Sequence, residues 1–247
     1  MKVIYWKDDK AGKNIAENLT ELGLGNLLVE SEKSILYSKE PEIETDLFIV
    51  ASTHRSKTNK ASLTVHPTGN WGSADIGGNE HELSYTSPEA LAVGLRAINS
   101  RKIKGFDVSM EATHHGPTNW KTPLIFIEIG STETEWKNKE AGKVIAESIS
   151  EINDSEQEFE NYVGFGGIHY CPYFTKRILE NEEISVGHVA PKYAANDLDK
   201  KIIKEAFEKS NAEKALFDWK GLRSKERNKI LNILEELGID YERARDI

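Results

Sequence analysis

The chain has 247 residues, 30% of them charged and 38% apolar, with a formal net charge of −9. That length supports one large domain or two small ones, and the negative total excludes indiscriminate nucleic-acid binding through bulk charge. Cys171 is the single cysteine, which excludes an internal disulfide, and no apolar run approaches the roughly 20 residues of a membrane span.

The opening MKVIYWKDDKAGKN lacks the apolar core and small-residue cleavage site of a secretory leader; it reads as a strand followed by a helix. Together with the lone cysteine, this points to a cytoplasmic protein. Strands are expected at KVIYW (2–6), DLFIVAS (46–52), SLTVH (62–66), DVSMEA (107–112), LIFIEIG (124–130), ISVGHVA (184–190) and KALFDW (214–219). The pair Ser87-Pro88 is an N-cap followed by a first-turn proline, and PEALAVGLRAIN continues with apolar residues at helical spacing. Further helices are expected within 134–152, 196–210 and 224–238, the last stopped at Gly238. The polar stretch EINDSEQEFENY (151–162) reads as a loop inside one domain spanning 1–247. Strands alternating with helices predict an α/β sandwich with a mixed, mostly parallel sheet. LIFIEIG is apolar at both alternating sets of positions, as a strand covered on both sides requires, and ligands sit beyond the carboxyl ends of such strands.

Charge is unevenly spread. Residues 200–230 hold ten Lys and Arg against five Asp and Glu, whereas 128–160 hold three against ten. One face could therefore meet a polyanion although the whole is acidic.

All seven histidines fall at strand ends or in loops: His54, His66, His81, His114, His115, His169 and His188. The adjacent pair His114-His115 precedes a Gly116-Pro117 break, where the chain must turn, so two neighbouring rings can face one small volume. Glu128 lies inside the apolar run LIFIEIG, where a carboxylate needs a histidine, a cation or a metal as partner. Glu111, just before ATHHG, is a second candidate carboxylate. Histidine and glutamate at strand ends are acceptable zinc ligands, but no HExxH or CxxC spacing demands a metal. Gly130-Ser131 and Gly166-Gly167 supply turns whose backbone N–H groups could receive an anion. Cys171 stands two residues from His169, and in an extended segment the two would point apart, which argues for a packed cysteine rather than a nucleophile.

Five motifs in order, EATHHGPT, FIEIGST with a following Trp, GG-x-HY-x-P, GH-x-A-x-KY and DWKGL, resemble the archaeal and plant type of D-aminoacyl-tRNA deacylase; the early DKAGKNIAENL is similar to its N-terminal segment. The resemblance implies a three-layer, phosphorylase/hydrolase-like sandwich that hydrolyses the ester joining a D-amino acid to the end of tRNA. It also implies zinc, two ions per chain. Its motif positions are Glu111, His114, His115, Thr118, Glu128, His169 and His188. On this basis His114, His115, Glu128 and Glu111 are expected to be catalytic, and His114, His115, His169 and His188 to hold metal. Thr118, Gly130, Ser131, Gly166 and Gly167 are expected to line the substrate. Lys192, Tyr193, Lys220 and Arg223 are expected to meet the acceptor end of tRNA, with Tyr193 stacking on a base. Two other readings share these residues: a zinc peptidase or amidohydrolase acting on small substrates, and a non-catalytic RNA-binding protein.

Overall fold

A computed structural model describes the whole chain, Met1–Ile247. In order, its elements are β1 (Lys2–Trp6), α1 (Lys10–Glu21), β2 (Leu28–Ser31), β3 (Phe48–Thr53), β4 (Ser62–His66), β5 (Gly69–Asn70), β6 (Glu82–Leu83), α2 (Pro88–Ser100), β7 (Asp107–Met110) and β8 (Leu124–Gly130). The remainder comprises α3 (Glu133–Trp136), α4 (Lys139–Asp154), β9 (Glu160–Phe165), α5 (Pro172–Glu180), β10 (Ile184–Ala190), α6 (Lys200–Lys209), β11 (Lys214–Phe217), α7 (Ser224–Leu237) and β12 (Asp240–Arg243).

The architecture is α/β with a mixed, mostly parallel sheet, and a second sheet is added to it. Six strands run in the order β2-β1-β3-β8-β4-β7, with β4 antiparallel to β8 and the other pairings parallel. Four further strands, β10-β9-β11-β12, form an all-parallel sheet. Helix α2 packs on β4 and β7 of the first sheet and on β10 of the second, so a single buried cluster runs from Val3, Ile49 and Leu63 through Leu91 and Leu95 to Val186 and Val189. No helix is long and apolar enough to cross a membrane.

Local chemistry explains where the elements start and stop. Ser87 accepts from the Ala90 N–H and Pro88 opens α2, as the sequence predicts. Gly238 ends α7 in the left-handed region at φ 69°. The expected helix over 134–152 is divided into α3 and α4, because Asn138 adopts an extended conformation and caps a new helix through Ala141 N–H. The stretch 151–162 is not a single loop. It holds the end of α4 and the start of β9, a central strand of the second sheet, whose apolar residues lie beyond the polar segment.

β8 is the key to the site. Ile125, Ile127 and Ile129 pack into the main core beneath α1, α2 and α4, each buried side chain contributing about 1.5–3 kcal/mol. The alternate positions Leu124, Phe126, Glu128 and Gly130 face the other way. Register places Ser52 of β3 and Thr64 of β4 directly beside Glu128, so His54 and His66, each two residues further on, belong to the Glu128 face from opposite sides. Thr64 also pairs with Ser109 of β7, which brings Glu111 to the same face.

Candidate active site

Five of the seven histidines meet on this face. The ring centroids of His66 and His114 are 4.3 Å apart, those of His114 and His115 4.3 Å, and those of His114 and His169 4.6 Å. His54 Nδ1 stands 3.1 Å from Glu111 Oε1 and 3.3 Å from Glu128 Oε2, while its Nε2 is 3.0 Å from the Tyr170 hydroxyl. His169 Nε2 lies 2.8 Å from Glu111 Oε2. His66 Nε2 lies 3.7 Å from Glu128, too far for a hydrogen bond, so that attraction is Coulombic.

The loop 111–118 is shaped to make this possible. His115 sits in the left-handed region at φ 47°, so its ring and that of His114 do not diverge as they would in a strand. Gly116 allows a close crossing with the 76–78 segment: its N–H donates to the Ile76 carbonyl at 3.0 Å, and a side chain there would lie 2.3 Å from Gly78 N.

Three of the imidazoles are oriented alike. His66, His114 and His115 each donate Nδ1–H to a backbone carbonyl, that of Pro67 at 3.1 Å, Ala112 at 2.8 Å and Gly116 at 2.7 Å respectively. Their Nε2 lone pairs are thereby left for something else. The buried Nε2 of His66 and both oxygens of the fully buried Glu111 have no well-directed hydrogen bond. The oxygens of Glu111 are held by charge, by His54 and His169, while Nε2 of His66 is a buried polar atom without a partner, which is costly and which a cation would satisfy.

The protonation pattern follows from packing and charge. Burial alone would raise the Glu128 carboxyl, but His54 and His66 outweigh it and hold it well below the ordinary range. Burial likewise opposes ionisation of Glu111, and His169, His66 and His54 reverse the balance and lower it. For His54 and His66 burial disfavours the charged ring, yet the two carboxylates raise both. His114 is held well below its ordinary value by burial and by the neighbouring rings, and His115 is pushed down to about 4 by burial and His66. The neutral rings of His114 and His115 therefore coexist with ionised carboxylates in one cleft.

Three sets of side chains bring one ligating atom each within 4.8 Å of one another: His66, His114 and His115; Glu111, His114 and His169; and His54, Glu111 and Glu128. His and Glu donors at these separations suit zinc.

His188 does not join them. It is fully buried, its Nδ1 accepts from Thr113 Oγ1 at 3.1 Å, and its Nε2–H donates to the Ser84 carbonyl at 2.8 Å. With both nitrogens committed, the expected metal role fails on geometry. Thr118 is also fully buried; its hydroxyl donates to Glu82 and accepts from Asn79 N–H at 2.9 Å, which leaves nothing for a substrate.

In one of the expected anion turns the Gly166 donor is already committed. The Gly166 N–H is taken by the Ala190 carbonyl at 2.8 Å, and the Gly167 carbonyl by the Lys192 N–H at 3.0 Å. Both glycines have positive φ, 106° and 82°, and Gly166 closely approaches the Asp218 backbone. Gly130 lets His54 sit against the strand, since a side chain there would meet His54 Cδ2 at 2.7 Å; Ser131 Oγ donates to the Lys60 carbonyl at 2.6 Å. Lys192, Tyr193, Lys220 and Arg223 do come together, lining one surface pocket. Cys171 is buried and its thiol is pushed well up by burial and by Glu111, which leaves it inert as a nucleophile.

Sequence reasoning placed His54 and His66 among the strand-end histidines but did not assign them to the site, and it missed Tyr170. The signal was their offset of two from the positions paired with Glu128, legible only once the strand order is known.

The family model for D-aminoacyl-tRNA deacylase matches residues 41–242. The chain belongs to the D-aminoacyl-tRNA deacylase family. It is similar to the D-aminoacyl-tRNA deacylase of Pyrococcus furiosus, 37% identical over 98% of this chain and 99% of the relative. The enzyme of that name from Methanocaldococcus jannaschii is 38% identical over 96% of each chain. The Methanosarcina mazei relative is 44% identical over 80% of this chain and 67% of its own. A crystal structure described as a conserved protein of unknown function superposes with a TM-score of 0.93 at 30% identity, covering 99% of this chain and 95% of that one.

Proposed function

We propose that the protein is a cytoplasmic hydrolase that cleaves the ester bond of D-aminoacyl-tRNA, releasing the D-amino acid and free tRNA and so clearing mischarged tRNA. Membership of the family supports this reading. The observation that carries it at the level of chemistry is the convergence of His54, His66, His114, His115 and His169 on two ionised carboxylates, Glu111 and Glu128, in one cleft.

Zinc fits the donor set. Of the three ligand groups only two share no residue: His66, His114 and His115, and His54, Glu111 and Glu128. These are the residues that would hold two ions. Bound zinc supplies Lewis acidity that polarises an ester carbonyl. The carbonyls of Pro67, Ala112 and Gly116 fix the tautomer of the first group, and Tyr170 orients His54.

His169 belongs to neither of those two groups. Its ring is about one-third exposed to the cleft and its Nε2 is paired with Glu111 at 2.8 Å, so it is the imidazole left to take a proton from water and return it to the ribose oxygen. Glu111 would stabilise the imidazolium formed in between. Lys192, Tyr193, Lys220 and Arg223 form the surface proposed to receive the acceptor end of tRNA.

The test is deacylation of matched D- and L-tyrosyl-tRNA by the purified protein, with metal content measured on the same preparation. The expected result is release from the D substrate at a rate well above that from the L substrate, with zinc bound. Equal inertness toward both would overturn the function; full activity with less than one metal per chain would overturn the zinc.

A further inference from the structure

The histidine cleft is one part of a longer groove. A pocket of about 680 Å³ extends from the site toward β1 and is lined by Trp6, Ile35, Val50 and Phe126 as well as His114 and His115. A smaller one of about 300 Å³ shares the same two histidines and is also lined by Tyr193. Tyr193 in turn lines the surface pocket formed with Lys192, Lys220 and Arg223. Shared lining residues therefore order the groove: apolar pocket, paired histidines, Tyr193, basic end.

The two ends differ in chemistry. Ile35, Val50 and Phe126 belong to a buried apolar cluster that floors the first pocket, and Trp136 with Arg55 stacked over it at 4.7 Å closes its side. Its charged lining includes Asp8, Asp9, Glu128 and Glu133 against Lys10 and Arg55, and Lys10 is paired with Glu133 at 2.7 Å. At the other end three cations face a single carboxylate, Glu226, whose oxygen already accepts from Arg223 N–H at 3.0 Å. Tyr193 is 58% exposed, which leaves its ring available for stacking. A phosphodiester is attracted to the second end, whereas an apolar side chain suits the first.

We propose that the substrate lies along this groove in one direction, with the amino-acid side chain in the pocket of Trp6, Ile35, Val50 and Phe126, the ester at His114 and His115, and the terminal nucleotides over Tyr193 with their phosphates at Lys192, Lys220 and Arg223. Trp6 and the rim residue Ser34 are then specificity-determining, and bulky apolar or aromatic D side chains are preferred to small ones. This inference rests on the deacylase function proposed above.

The experiment compares kcat/KM for D-tyrosyl-tRNA and D-alanyl-tRNA in the wild-type protein, in Trp6→Ala, in Ser34→Trp and in the double variant Lys220→Ala/Arg223→Ala. The wild type is expected to favour D-tyrosyl-tRNA by about tenfold, a typical return on filling an apolar pocket. Trp6→Ala and Ser34→Trp each reduce that ratio by about threefold or more, one by opening the pocket and the other by filling it. Ser34 is half-buried at the rim, so this variant keeps the test open should Trp6→Ala fold poorly. The double variant lowers kcat/KM for both substrates by the same factor, flattens the salt dependence and leaves the ratio intact. Pocket variants that lower both substrates equally, or charge variants that shift the ratio, would overturn the direction while leaving deacylation established. A wild-type protein inert toward both substrates would instead remove the function on which the inference stands.

Discussion

Two regions of this protein bury histidine, and they do opposite things with it. At His188 the ring is enclosed between Trp71, Thr113 and Ser84; each nitrogen has one partner, and Thr113 Oγ1 in turn accepts from Val189 N–H at 2.9 Å. At His66, His114 and His115 only Nδ1 makes a hydrogen bond, to a carbonyl, and the buried Nε2 of His66 is left without one beside buried carboxylates. The comparison teaches that burial does not distinguish a structural histidine from a chemical one. The second nitrogen does.

That contrast can be broken at several points. The largest effect is expected at the proton carrier: His169→Gln should lower kcat for D-tyrosyl-tRNA by about 10²–10⁴-fold with the circular dichroism spectrum unchanged. A loss under threefold would remove His169 from the chemistry. Next is metal-linked stability. Zinc at about 100 times its Kd should stabilise the wild type by about 2.7 kcal/mol for each ion bound, seen as a raised Tm in calorimetry. The same rise should survive in His188→Gln and lose one ion's share in His66→Gln, which breaks one of the two ligand groups; an undiminished rise in both would place that ion elsewhere.

His188→Gln should itself cost about 1–3 kcal/mol in urea unfolding, because the Ser84 carbonyl and the Thr113 hydroxyl lose a shaped partner. Its acid response sharpens the point. Burial, the largest influence, holds the folded-state pKa of His188 at about 3, below the ordinary 6.5. The unfolded chain therefore binds this proton first, so stability is full above pH 6.5 and is lost as pH falls from 6.5 toward 3. The expected contribution is about 1.4 kcal/mol per pH unit in that window, and the Gln variant should lack it. The smallest effect belongs to Cys171. Cys171→Ala should keep kcat within about twofold, since a buried cysteine of raised pKa acts as packing. Loss of turnover in a folded Cys171→Ala protein would reopen thiol chemistry.

Much of the fold was legible along the chain. KVIYW, SLTVH, LIFIEIG and ISVGHVA are strands with the bounds that alternation and turn residues imply. β9 was hidden because its apolar residues follow a polar run, and β2 and β12 because short edge strands bury too few side chains to show a period. The site was legible as a residue inventory, Glu111, His114, His115, Glu128 and His169, but not as a ligand grouping. Thr118 and His188 carry the same motif pattern as their neighbours, and only the hydrogen bonds closing around them remove them from it.

The chain by itself determined the composition of the elements, the alternation that buries Ile125, Ile127 and Ile129 on one face of β8, and the isolated charge of Glu128 on the other. Those are local consequences of side-chain periodicity and the cost of burying a charge. The tertiary structure decided which histidines reach that carboxylate, because β3 and β4 are brought to either side of β8 by strand pairing between residues 60 or more positions apart. It also decided which imidazole nitrogens remain free, since each depends on a partner supplied by a separate loop or strand.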